Sequence, residues 1–255
     1  MDSLIGVIGV FIAGVFAGAV NSVAGGGSLI SFPSLVAFGM PAILANATNT
    51  AAMWPGSLSS AAAYSRDTKP DRRLLLTLFL PSLIGGLLGA VVLVITPPEL
   101  FDHVVPFLVL FATLLFASRD LFDRMIKRGD GEEHVSILGR IWGFLFQLFV
   151  ATYGGYFGAG IGILMLGSLS VMGLRDIHRM NGLKTILATL INVIAFVYFA
   201  LRGLVVWPVA IVMALGAIVG GFGGARFAKR VDQRILRGFV IAIGLGVSAW
   251  FYFKL

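Results

Sequence analysis

The 255-residue chain has no cysteine, and only 12% of its residues are charged, about half the ~25% of an ordinary soluble domain. The missing cysteine excludes disulfides, thiolate metal centres and cysteine nucleophiles. The shortage of charge leaves no polar stretch long enough to build a water-soluble domain. No Asp or Glu lies inside an apolar run, so a carboxylate relay for protons or sodium has no place at membrane depth. His103, His134 and His178 fall on separate loops without metal-ligand spacing, so neither a metal nor another cofactor is expected. The glycine-rich segments lack the Lys-Ser/Thr ending of a phosphate-binding loop, which removes nucleotide binding.

Apolar residues dominate what remains. They make up 58% of the chain, and mean hydropathy is +0.97. A soluble core cannot hide that much apolar surface, so the expected solvent is a lipid bilayer. The net charge of +7 comes from Lys and Arg in short loops between apolar runs. That placement fits a cytoplasmic leaflet, and no nucleic acid partner is expected. The chain opens Met1-Asp2-Ser3, acidic where a secretory leader is basic, so no cleavable signal is expected.

Apolar runs lie at 4–24, 28–38, 42–64, 74–95, 104–118, 137–157, 161–172, 177–201, 205–225 and 236–253. Runs of about 20 residues cross a ~30 Å hydrocarbon core as helices. The 28–38 and 161–172 runs are too short, and each follows a longer run across a glycine cluster. The clusters are Gly25-Gly26-Gly27 and Gly158-Ala159-Gly160-Ile161-Gly162. An offset of 135 positions, held without gaps, aligns Gly25 and Gly27 with Gly160 and Gly162, and Asn46 and Thr50 with Asn181 and Thr185. It also aligns Gly85, Gly86, Gly89 and Ala90 with Gly220, Gly221, Gly224 and Ala225. The chain therefore reads as two related halves.

Loop charge orients them. Arg66, Lys69, Arg72 and Arg73 fill the 65–73 loop, while its counterpart near 200–208 has only Arg202. The 96–103 loop has no Lys or Arg, whereas its counterpart carries Arg226, Lys229, Arg230, Arg234 and Arg237. Equivalent loops thus belong on opposite sides, and the basic connector belongs in the cytoplasm. The expected fold is an all-α, polytopic transmembrane helical bundle of two inverted repeats. Each repeat has a broken re-entrant hairpin plus three crossings. The first spans 1–118 (hairpin 4–38, helices 42–64, 74–95 and 101–118). A connector follows at 119–136, and the second repeat spans 137–255 (hairpin 137–172, helices 177–201, 205–225 and 236–253). Both termini are expected outside.

Non-helical backbone within lipid persists only where protein packs it or water reaches it. Two such breaks in inverted halves mark the expected site, with helix starts aiming free N–H groups at an anion. Asn21, Ser22, Gly25, Gly26, Gly27 and Ser28 line the first break, and Tyr153, Tyr156, Gly160 and Gly162 the second. The following helices open with Asn46, Asn49 and Thr50, and with Asn181, Lys184 and Thr185. Lys184 lies about eight residues into its helix, ~12 Å deep, where it either serves as a counter-charge or snorkels to the cytoplasmic face. The glycines at 85, 86, 89, 220, 221 and 224 have the small-residue spacing of close helix contact.

The segments Asn21-Ser-Val-Ala-Gly-Gly-Gly-Ser-Leu-Ile-Ser-Phe-Pro33, Ala45-Asn-Ala-Thr-Asn-Thr50 and Pro55-Gly-Ser57 resemble the first half of the TauE/SafE family. Gly158-Ala-Gly-Ile-Gly162 and Asn181-Gly-Leu-Lys-Thr185 resemble its repeated signature, and the resemblance covers nearly the whole chain. It implies a bacterial-type inner-membrane permease that exports sulfite or an organosulfonate. The second break departs from the pattern, with Tyr153-Gly-Gly-Tyr156 where the first has Asn21-Ser22, so the two half-sites contact a solute differently. The expected function is secondary transport of a small sulfur-containing anion by alternating access, with no catalytic residues. A permease or channel for another small solute is the alternative. A membrane-embedded enzyme would need a nucleophile–base pair or metal set that the sequence lacks. Glycine and aromatic faces leave room for a homodimer within the bilayer.

Overall fold

The computed structural model describes residues 4–23, 26–67, 72–127, 137–172, 174, 177–227 and 233–254, and no strand occurs among them. Ten helices are present in the described residues. The first five are α1 (Leu4–Val23), α2 (Ser28–Ala37), α3 (Ala42–Asp67), α4 (Arg72–Ile95) and α5 (Pro98–Lys127). The others are α6 (Ile137–Tyr156), α7 (Ile161–Val171), α8 (Ile177–Leu201), α9 (Trp207–Phe227) and α10 (Gln233–Lys254). Their outward faces are apolar, with Ile5, Leu201, Phe222 and Phe253 largely exposed, as lipid-facing surfaces require. Among the described residues, four segments are long and apolar enough to cross a membrane: Leu4–Asn21, Leu74–Ile95, Pro98–Ser118 and Gly182–Leu201. The protein is a multi-pass helical membrane protein.

One boundary differs from expectation. The helix expected to end at 118 continues to Lys127, so half of the expected connector is helix. Apolarity stops at Arg119, but helix formation does not depend on apolarity. The run Arg119–Lys127 holds no Gly or Pro and is rich in residues that sustain a helix in water.

The two glycine clusters fold their helices back on themselves. In the first, Gly27 lies against Ala17 and Asn21, while Phe38 at the far end of α2 reaches Gly9. In the second, Ile161 lies against Gly154, while Met172 past the end of α7 reaches Gly143. Both pairs are therefore antiparallel hairpins. Left-handed backbone at Gly26 (φ 91°), Gly158 (φ 80°) and Gly160 (φ 79°) makes the reversals, a conformation that costs glycine nothing.

Packing then interleaves the halves. Helix starts pair at 42 and 177, 72 and 207, and 98 and 233, each 135 apart, and at 4 and 137 and 28 and 161, each 133 apart. Exchanging the halves maps the α1–α9 contact onto α6–α4, α3–α9 onto α8–α4, and α2–α10 onto α7–α5. The α3–α8 and α5–α10 contacts map onto themselves. The counterparts α5 and α10 run in opposite senses: Thr113 meets Gly244, whereas Pro106, earlier in α5, meets Ser248, later in α10.

Absent side chains set how closely the exchanged helices approach. A Cβ on Gly220 would lie 1.9 Å from the Val15 carbonyl oxygen, and one on Gly18 would lie 2.1 Å from that of Ala217. On the matching pair, a Cβ on Gly89 would lie 2.0 Å from the Thr152 oxygen, and one on Gly155 would lie 2.1 Å from the Gly86 oxygen. Lipid tails compete with any apolar contact, so close backbone approach is what holds such pairs together. Gly85, Gly89 and Gly220 thus have the packing role expected of them. The side-chain position of Gly224 lies outside the described residues. Between α4 and α6 the Gln147 amide nitrogen also donates to the Ser82 hydroxyl at 2.9 Å.

Overpacking of a tight contact destabilises by about 1–3 kcal/mol or more. Gly220→Val is expected to lower the melting temperature of detergent-solubilised protein by several degrees, whereas Gly246→Ala, with nothing within 4 Å of its Cβ, leaves it unchanged. Equal melting temperatures for the two variants would contradict the packing described.

Candidate functional site

Both breaks converge on the middle of α5. Phe116 lies against Gly26, and Ala112 lies against Gly160. Ala112 and Phe116 are one helical turn apart, ~6 Å of rise, and near the centre of α5. The ring of Phe157, in the second break, stands edge-on to Phe32 of α2 at 5.3 Å. The two breaks thus share one neighbourhood inside the bundle.

In the first break, Leu29 N–H reaches the Gly26 carbonyl at 3.0 Å, and Ser31 N–H reaches the Gly27 carbonyl at 3.0 Å. The Ser31 hydroxyl bonds the Asn49 side-chain oxygen, tying α2 to α3. Met53 of α3 closes over Gly27. Asn49 is 3% exposed, so as placed it braces the break and cannot also meet a solute. Ser28 and Asn21 are half-buried and carry no such tie. Gly25 and the side chain of Ser22 lie outside the described residues.

The second break is tied across the halves. Asn46 of α3 donates its amide N–H to the Tyr156 carbonyl at 2.8 Å, satisfying an acceptor left over where α6 ends. Thr50 donates to the Asn46 carbonyl within its own helix at 3.0 Å. The Tyr153 hydroxyl donates to the Ala159 carbonyl at 2.7 Å, closing the loop between α6 and α7. The Tyr156 ring packs on Phe101 at 5.7 Å. Asn46, Thr50, Tyr153 and Tyr156 therefore hold the site's backbone in shape.

The start of α7 is different. No backbone carbonyl among the described residues takes the N–H of Gly160 or Gly162 at the start of α7. Both glycines are half-buried, as are Lys184 and Thr185 on α8. The Lys184 stem lies over Gly162, its Cδ 3.4 Å from where a Cβ would stand. Lys184 is thus held at the second break inside an apolar helical segment, Gly182–Leu201. A cation beside a helix N-terminus gives that point a positive field, which favours an anion. The side chain of Asn181 lies outside the described residues.

Ser31 and Asn192 escaped the sequence reading, and Thr48 was legible only as part of the polar opening of α3. Ser31 and Thr48 are hydroxyls within otherwise apolar or mixed runs. Thr48 accepts the Val206 N–H at 3.1 Å, just ahead of α9. Asn192 of α8 points at Gly158, its Oδ1 3.8 Å from a Cβ there. A polar residue two turns past Lys184 within the same apolar segment was the available signal for Asn192. A separate cavity of about 420 Å³ lies between α1, α2 and α10. It is lined by apolar residues such as Ile12, Phe16 and Phe239 and faces lipid, away from the breaks.

The family model described as "Sulfite exporter TauE/SafE" matches residues 10–251. The chain is 28% identical over 251 residues to a Haemophilus influenzae protein described as "Probable membrane transporter protein", covering 95% of this chain and 96% of that one. It is 28% identical over 243 residues to "Probable membrane transporter protein ORF9" of a Sinorhizobium species, with 93% and 89% covered. It is 26% identical over 250 residues to the Escherichia coli K12 "Probable membrane transporter protein YfcA", with 96% and 88% covered. No solved structure matches.

A hydrogen bond to a buried carbonyl contributes about 0.5–1.5 kcal/mol, and an orphaned partner adds to the loss. Tyr153→Phe, which frees the Ala159 carbonyl, is expected to lower the melting temperature by a few degrees and to raise protease sensitivity at 157–160. A variant as stable and as protected as the parent would show that the tie is idle.

Proposed function

The chain belongs to the TauE/SafE family and is a membrane transporter, and from that premise we propose that it is a secondary transporter of a bacterial inner membrane that exports a small sulfur-containing oxyanion. Sulfite and short organosulfonates are the solutes in view. The observation that carries the reading is Lys184 lying over Gly162, where two helix breaks share the centre of α5. An anion there would meet an ammonium, open backbone N–H groups and the positive end of α7 in surroundings of low dielectric, where such contacts are strong. Gly26, Gly27, Gly160 and Gly162 would supply backbone contacts, with Asn21, Ser22, Ser28, Asn181 and Thr185 around them. Asn46, Asn49, Thr50, Tyr153 and Tyr156 would shape the pocket.

Alternating access follows from the two halves. Opposite charge bias on equivalent loops and opposed directions of counterpart helices support inverted repeats, which exchange roles when the transporter changes face. Basic loops 65–73 and 226–237 then face the cytoplasm.

The test is flux in proteoliposomes. Wild-type protein should move radiolabelled sulfite with saturation, and excess unlabelled sulfite on the far side should drive counterflow. A linear, non-saturating flux would point instead to a channel. Removing a charge-assisted contact costs about 1.5–3 kcal/mol, so Lys184→Gln should raise the half-saturating concentration at least about tenfold. Unchanged kinetics in this variant would remove Lys184 from the site.

A further inference from the structure

Four buried side-chain atoms among the described residues have no hydrogen-bond partner: Asn46 Oδ1, Gln147 Oε1, Ser168 Oγ and Trp54 Nε1. Three can accept. Trp54 Nε1 can only donate, so it lacks an acceptor. A buried donor left unmet is a standing cost to the fold and calls for an explanation.

The surroundings of Trp54 supply one. It follows Met53, whose methyl group reaches Gly27 of the first break. Its indole stacks on Phe196 of α8, centroids 5.6 Å apart at 22°. Phe196 is in turn fixed edge-on by Trp207 at 6.1 Å. Asn192 precedes Phe196 by one turn on the same face of α8 and approaches Gly158 of the second break. It is half-buried, and no hydrogen bond to its amide occurs among the described residues. Lys184 stands eight residues further back, about 12 Å along the helix axis. Within one turn α8 therefore presents an amide and an aromatic wall, with an unmet indole N–H delivered from α3. The position 135 residues on from Trp54 is Thr189, whose hydroxyl bonds its own helix at Thr185. The indole donor thus has no equivalent in the other half.

We propose that the Trp54 indole N–H and the Asn192 amide are specificity-determining donors that contact the oxygens of the transported anion. The inference rests on the function proposed above and extends it. Trp54 selects a guest that offers a lone pair to an indole N–H that no protein group among the described residues meets. A solute lacking an acceptor there leaves the donor unmet and is rejected, because an unpaired buried polar group weighs more than a lost methylene contact.

The experiment is sulfite binding to detergent-purified protein, read by thermal shift and by fluorescence of a Trp54-only variant (Trp142, Trp207 and Trp250 each changed to Phe). Trp54→Phe keeps an aromatic ring against Phe196, with a smaller area, and removes the donor. It should weaken sulfite binding at least about fivefold while the ligand-free melting temperature holds or rises. Asn192→Ala should weaken binding comparably, and Trp142→Phe, on the lipid face, should not. Sulfite should also shift the Trp54-only emission with the same affinity as the thermal shift. Undiminished binding in Trp54→Phe or Asn192→Ala, with wild type still binding, overturns this inference alone. Absence of binding by wild type to sulfite and to a short sulfonate overturns the anion reading and this inference with it.

Discussion

A peptide group that leaves a helix inside lipid has no water to turn to. That constraint organises this molecule. The chain leaves helical geometry twice within the bundle, and several of the interior's polar contacts are arranged around those departures. Asn46 meets the carbonyl at the end of α6, Tyr153 spans the loop after it, and Ser31 links the other break to Asn49. What these braces leave open, chiefly the backbone at the start of α7, is where the proposed guest would be held. Site and scaffold are therefore one set of groups divided by whether their hydrogen bonds are already made.

Holding the breaks together at mid-bundle needs the rest of the helices close and fixed. Lipid offers little drive for this, because tails solvate apolar faces as well as another helix does. Removing side chains provides the closeness instead. The glycines of α1, α4, α6 and α9 let backbones touch. Because α1 grips α9 and α6 grips α4, each tight pair draws one helix from each half. Any swing between two faces must then move mixed pairs, with neither half travelling as a unit.

Much of the architecture was legible in the sequence. Apolar run length placed α8 at 177–201, the residues it occupies. The glycine clusters marked the reversals, since only glycine enters left-handed backbone freely. Direction of side chains was not legible. Polarity at membrane depth shows that Asn46 and Asn49 must bond something, but a helix of known sequence has no known rotation until its neighbours are placed. Both turn toward backbone or a neighbouring hydroxyl. The role of α5 was hidden for the opposite reason: Ala112 and Phe116 look like ordinary lipid-soluble residues, and only the convergence of two distant loops on them gives them meaning. Trp54 was hidden because an indole in an apolar run resembles an interfacial anchor until its nitrogen is found enclosed.

The grip of α1 on α9 also bears on how the chain is made. During synthesis α1 emerges well before α9, and the surface at Gly216 and Gly220 that meets Gly14 and Gly18 is about two hundred residues away on the message. Until α9 follows, this face must wait in the bilayer against lipid or the insertion machinery. A ribosome stalled before α9 leaves α1 with its groove unfilled, so truncated products carry an exposed recognition mark that membrane quality control can read.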